Sequence, residues 1–150
     1  MTRAYGKKYD ATLRTTDIAK KLRQELKAEK EMGKLPRGLK VSVTTEKFAG
    51  GSSITMEVTA VPQGFRVLNP EYVLAPKWES GRAHRYTKAA QRLLKRLDAM
   101  MKAYNHDGCD YMTDHFDVKF YSHEQIAHEL EHAEEQVIKA MAALNGTKVL

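Results

Sequence analysis

Two runs of alternating apolar residues meet across a glycine pair, and this pairing constrains the fold more than any other feature. Leu39, Val41 and Val43 fall on every second position, as do Ile54, Met56, Val58 and Ala60, with Gly50-Gly51 between the runs. A period of two places one set of side chains on one face of an extended strand. Two such strands joined through glycines form a β-hairpin, here with a fairly long loop. A hairpin with one apolar face must bury that face, so helices are expected to cover it.

The flanking segments supply those helices. Ile18, Leu22 and Leu26 recur every four residues, predicting a helix over about 17–32. Thr15 or Thr16 caps its start, Asp17 lies at the positive helix end, and Gly33 with Pro36 stops it. Ala90, Leu94, Leu97, Met101 and Tyr104 step by four and three, predicting a second helix over about 87–104 that ends at Asn105–Gly108. Phe116, Val118 and Phe120 alternate within 114–121 and predict a strand with Asp117 and Lys119 on its outer side. Ser122 and Gln125 have the spacing of a capping box opening a last helix, whose apolar face carries Ile126, Leu130, Ala133, Val137, Met141 and Leu144. Between the hairpin and the second helix, residues 62–81 form an ordered excursion with a third short strand at 65–68. The expected fold is α+β: an antiparallel sheet, made of the hairpin and a later strand, packed against about three helices in the order α-β-β-(β)-α-β-α. The whole of 1–150 reads as a single domain, with 1–14 a flexible basic arm lacking any period.

Charge is unevenly distributed. Residues 1–50 carry +7, residues 51–105 carry +5 and residues 106–150 carry −6, giving the net +6. The single cysteine, Cys109, excludes an internal disulfide and fits a reducing compartment. No apolar run has membrane-spanning length, and no apolar leader follows Met1, so a cytoplasmic location is expected. On the first helix Lys20, Arg23, Lys27, Lys30 and Lys34 form a cationic ridge, and on the second Lys88, Arg92, Lys95, Arg96 and Lys102 form another. Such ridges suit phosphate backbones, because each neutralised phosphate releases condensed counterion. Lysine is also an ordinary way to solvate the outer face of an amphipathic helix. No motif for sequence-specific readout accompanies the ridges.

The only segment with the form of a catalytic motif is His128-Glu129-Leu130-Glu131-His132, an H-E-x-x-H spacing that can place two imidazoles on one zinc ion. With Ile126 as the origin of a helical wheel, His128 and His132 fall at about 200° and 240°, on the polar side with Glu131, Glu135 and Gln136. A catalytic zinc requires three protein ligands. The extended form of the motif would place glycine at 135 and histidine at 138, where this chain has Glu135 and Ile138. A third ligand could come only from earlier residues such as His106, Asp107, Cys109, Asp110 or His123. The acids of 105–121 (Asp107, Asp110, Asp114, Asp117) lack the spacing of a calcium-binding loop. The chain is therefore read as non-enzymatic, with no cofactor, metal or catalytic residue assigned. A zinc-dependent hydrolase using 128–132 is the alternative.

Asn105 with Asp110, Thr113-Asp114, Phe116-Asp117-Val118 and Phe120-Tyr121 resemble the C-terminal signature of the large polyvalent-protein-associated domain, a family of phages and mobile genetic elements. Two earlier stretches agree: Asp17-Ile18-Ala19-Lys20 leading to Glu25-Leu26-Lys27, and Leu39–Val43 followed by Gly50–Ile54. The likeness spans most of 16–125 and departs at Cys109 and His115, where serine and tyrosine are typical. It implies an accessory protein of a phage or mobile element, in a family without an established catalytic activity. Such a protein would bind nucleic acid or an acidic host-protein surface, and a host-defence inhibitor is one form it could take.

Overall fold

A computed structural model describes residues 4–76, 78, 83–107 and 118–146. In chain order the elements are β1 (Ala4–Tyr5), α1 (Thr15–Glu31), β2 (Lys40–Phe48), β3 (Gly51–Ala60), α2 (Pro70–Leu74), α3 (Lys88–Lys102), β4 (His106–Asp107), β5 (Tyr121–Ile126) and α4 (His128–Leu144). The class is α+β. β2 and β3 form the expected hairpin, in antiparallel register from Lys40↔Ala60 to Phe48↔Gly51. Val41 and Val43 lie beside Val58 and Met56, so the alternating residues share one face.

The sheet is not purely antiparallel. β5 pairs with β3 in parallel, from Ser53↔Tyr121 to Val58↔Ile126, giving the order β2-β3-β5. A parallel neighbour needs a crossover that carries the chain back along the sheet. Here α2 and α3 lie in that connection. β1 and β4 form a separate two-stranded ribbon.

Three boundaries differ from expectation. α1 begins at Thr15, so neither threonine is its cap. Arg14 holds that position, and its backbone N–H donates to Asp17 Oδ2 at 3.1 Å, a bond that holds the Asp17 carboxyl below its ordinary range. The helix ends on Gly33, whose φ of 77° is readily adopted only by glycine. The strand expected over 114–121 lies partly outside the described residues. The strand that is present, β5, takes in Ser122–Gln125, so these residues do not cap a helix. Pairing with β3 satisfies their backbone along a six-residue ladder, and Gln125 Nε2 donates to Glu57 Oε2 at 2.6 Å. Residues 65–68 form no strand; Leu68 makes a single bridge to Tyr86, and the short helix α2 follows.

α1 and α3 cover the inner face of the sheet. Ile18, Leu22, Ile54, Met56, Val58, Leu97, Met101 and Phe120 are almost fully buried in one cluster. Each such side chain contributes about 1.5–3 kcal/mol through lost contact with water. α1 packs over β2 and β3, and α3 packs over β5.

Residues 4–14 are tied to the end of α3. Gly6 N donates to Asn105 O at 2.9 Å and Lys8 N to Ala103 O at 2.7 Å. A Cβ on Gly6 would sit 2.2 Å from the carbonyl oxygen of Lys102, within backbone that cannot yield. Gly6→Ala is therefore expected to undock this segment and cost about 1–3 kcal/mol, read as a lowered urea midpoint. An unchanged midpoint would show that the close approach contributes nothing.

Candidate functional site: the basic flank of α1

Two acids of α1 reach toward α3 and its end: Arg96 Nη2 donates to Glu29 Oε1, and Tyr104 Oη donates to Glu25 Oε2. Burial, together with the Glu25 carboxylate, raises the Tyr104 pKa, so the phenol stays protonated as the donor across this seam. Lys8 also reaches Glu25 and lies over the Tyr104 ring, 5.6 Å from its centroid.

The cationic ridge of α1 lies on the other side, against β2. Arg23 Nη2 donates to the Val43 carbonyl at 2.7 Å and Lys30 Nζ to the Leu39 carbonyl at 3.2 Å. Neutral carbonyls fix these groups without cancelling their charge. Lys27, Lys30, Glu31 and Arg37 together line a shallow concavity of about 370 Å³. Lys20, Lys27, Lys34 and Arg37 are all exposed. Among the described residues no ion pair or hydrogen bond engages the side chains of these four.

The α3 residues assigned to the same function are arranged differently. Arg96 is taken up by Glu29 at the α1 seam, and Lys102 Nζ lies 2.8 Å from Asp98 Oδ2. Lys88, Arg92 and Lys95 are exposed. Lys88, Lys95 and Lys102 recur every seventh residue and so share a side, the one where Lys102 also feels Glu124 of β5. The two ridges therefore diverge, with the α1–α3 seam between them, and do not form one continuous surface. Arg37, unassigned from the sequence, joins the α1 ridge because the turn after α1 folds back beside it. That proximity has no signature in helical spacing.

Burial, and then the like charge of Asp98, raises the Glu124 pKa. A carboxyl with a raised pKa in the folded state binds its proton more tightly there than when unfolded. It therefore opposes folding once the pH rises above the ordinary glutamate range. Glu124→Gln is expected to raise the melting temperature at pH 7, with the gain vanishing near pH 4. A gain of equal size at both pH values would trace the effect to packing.

Leu130 packs against the core as expected, but the rest of the apolar line of α4 does not turn inward. Glu131 and Glu134 are buried, each 8% exposed, whereas Val137, Met141 and Leu144 are exposed. Glu134 Oε1 accepts from Val67 N at 2.8 Å and Leu68 N at 2.7 Å. Arg85 Nε donates to Glu131 Oε1 at 3.0 Å, and the Arg85 guanidinium lies over the rings of Tyr72 and Tyr86. The bond to Glu131 is the main cause of the raised Arg85 pKa. The wheel misplaces Glu131 because it takes the apolar line as the inward face. Counted from the cap Ala127, the inward line is Glu131, Glu134, Ile138 and Ala142. Chemically, this network joins α4 to the excursion between β3 and α3.

His128 and His132 lie on the exposed first turns of α4, with ring centroids 6.2 Å apart and nearly parallel. Among the described residues no group of three or more histidine, cysteine, aspartate or glutamate side chains could hold a metal ion. Cys109 and Asp110, two of the expected third ligands, lie outside the described residues. Among the described residues no helix is long and apolar enough to cross a membrane.

Comparison of the chain with protein-family models, with curated proteins and with solved structures finds no match. The resemblance to the large polyvalent-protein-associated domain thus rests on the motif residues alone, of which 110–117 lie outside the described residues. Asn105, one of the described motif residues, links two elements through its side chain. Its Oδ1 accepts from Lys119 N at 3.0 Å and its Nδ2 donates to Phe120 O at 2.8 Å, joining the end of α3 to the start of β5.

Proposed function

We propose that this chain is a non-enzymatic binding protein that holds nucleic acid by its phosphate backbone along the outer flank of α1. The supporting observation is the convergence of Lys27, Lys30 and Arg37 on one concavity, extended by Lys20 and Lys34 along the helix, with Glu31 the only acid lining that concavity. A row of cations on a rigid helix matches a regular array of phosphates, and their desolvation is offset by counterion release. Neither arginine forks on a protruding recognition helix nor a platform of stacked aromatics accompanies the row, so binding is independent of base sequence. The resemblance to a family of phages and mobile elements adds a cellular context, that of an accessory protein acting on nucleic acid or on a host protein, host-defence inhibition included. The lone cysteine fits action in a reducing compartment such as the cytoplasm.

The test is a comparison of two charge-reversal pairs, read by fluorescence anisotropy on a labelled duplex. Lys27→Glu with Arg37→Glu is expected to weaken binding about tenfold or more at low salt, because two backbone contacts become repulsions. Lys88→Glu with Lys95→Glu, on the diverging ridge, is expected to weaken it by much less. The reverse order would move the interface to α3. If the wild-type chain does not bind nucleic acid, and its captured partner survives nuclease treatment, the flank serves an acidic protein surface instead.

A further inference from the structure

The α1 flank makes no use of His128 and His132, the two imidazoles of the H-E-x-x-H spacing on α4. Residues four apart on a helix are neighbours on one side, with Cβ atoms about 5–6 Å apart. Both side chains are exposed, and their rings lie 6.2 Å apart with planes inclined by 25°. Among the described residues no hydrogen bond or ion pair engages either imidazole. Each neutral ring therefore keeps a nitrogen lone pair open to solvent.

The helix that carries the pair is fixed on its inner side. Glu131, between the two histidines, bonds to Arg85, and Glu134 holds the Val67 and Leu68 amides. The pair is thus displayed on a rigid element before any ligand arrives, and such preorganisation favours binding. Zinc takes an imidazole nitrogen at about 2.0–2.1 Å, so two donors on one ion lie about 3 Å apart. Rotation of the exposed rings reaches that spacing with no change in the core. The positive end of the helix opposes a cation at this position. Nearby carboxylates counter it. Glu129 lies in the same turn, and Glu135, whose main partner is Lys139 at 2.9 Å, is near enough to feel His132.

We infer that His128 and His132 form a two-histidine chelate on the outer side of α4 for a divalent ion of the Ni²⁺, Cu²⁺ or Zn²⁺ class. Imidazole suits these ions, whereas Mg²⁺ and Ca²⁺ are served by oxygen donors. Among the described residues no third protein ligand completes the set, so the other positions are open to water or to a donor from another molecule. This is a binding site and not the three-ligand centre of a zinc hydrolase. It shares no residue with the α1 flank and stands independently of the function proposed there.

The probe is Ni²⁺, titrated by isothermal calorimetry into the full chain without a histidine tag. One-to-one saturable binding is expected, unaffected by a large excess of Mg²⁺. His128→Ala and His132→Ala are each expected to weaken it at least about tenfold, because the second imidazole binds intramolecularly at high local concentration. His132→Ala combined with Ala133→His keeps the number of histidines but turns the second ring to another side of the helix. That combination is expected not to restore binding. Ni²⁺ is also expected to raise the melting temperature of the wild-type chain and not of His128→Ala, since the folded helix presents the pair better than the unfolded chain. Both histidines are exposed, so the circular dichroism of the variants should match the wild type. No saturable binding, full affinity in either single variant, or recovery in the combination with Ala133→His would overturn the inference.

Discussion

Glu134→Ala is expected to destabilise the protein by about 3 kcal/mol, because it leaves two buried amide donors without an acceptor. The donors are Val67 N and Leu68 N, both reaching the Glu134 carboxylate, on residues that are themselves 0% and 1% exposed. Hydrogen bonds to a charged acceptor exceed neutral ones in strength, and the alanine variant also exchanges a filled site for a cavity. For a chain of this length the loss corresponds to a fall of about 6–12 °C in melting temperature. Glu134→Gln keeps one oxygen acceptor and is expected to cost about half as much. Glu131→Gln should cost less again: its partner Arg85 is 40% exposed, and solvent weakens that ion pair. Urea unfolding of the three variants ranks them. A loss below about 1 kcal/mol in Glu134→Ala would show that other acceptors reach these amides.

α4 explains why part of the fold could be read from sequence and part could not. The hairpin and α3 were legible because their apolar residues repeat at two and at three to four, and burial follows that repeat directly. Val43, Met56 and Val58 lie on the expected face, and Leu97 and Met101 are buried on α3. α4 carries an equally clear apolar line, yet that line faces outward at Val137, Met141 and Leu144. The helix is held instead through two of its own carboxylates, Glu134 on the backbone amides of Val67 and Leu68 and Glu131 on Arg85, partners contributed by the irregular excursion at 62–87. Sequence periodicity records which residues are alike, not where an irregular segment presents its N–H groups. The start of α4 was misplaced for a related reason. Ser122 and Gln125 match a capping pattern locally, but a neighbouring strand far away in sequence offers their backbone a full ladder.

The basic flank shows the same division. Its α1 cations were visible from spacing alone. Arg37 and the separation of the α3 ridge depend on how the turn after α1 folds and on which side each helix gives to the seam.

The largest functional effect is expected from salt. With about four to five phosphates neutralised by the flank, the logarithm of affinity should fall against the logarithm of salt with a slope near −4, a loss of about 10²-fold between 50 and 200 mM. Arg23 and Lys30 belong among these charges, since the carbonyls that position them carry no opposing charge. Reversing Lys27 and Arg37 should flatten the slope by about two, one for each lost phosphate contact. The decisive measurement is therefore the salt dependence of duplex affinity for the wild-type chain beside the Lys27→Glu, Arg37→Glu pair. A steep wild-type slope that flattens in the pair is the result predicted for backbone binding on the α1 flank; a shallow slope, or one equally steep in both proteins, would contradict it.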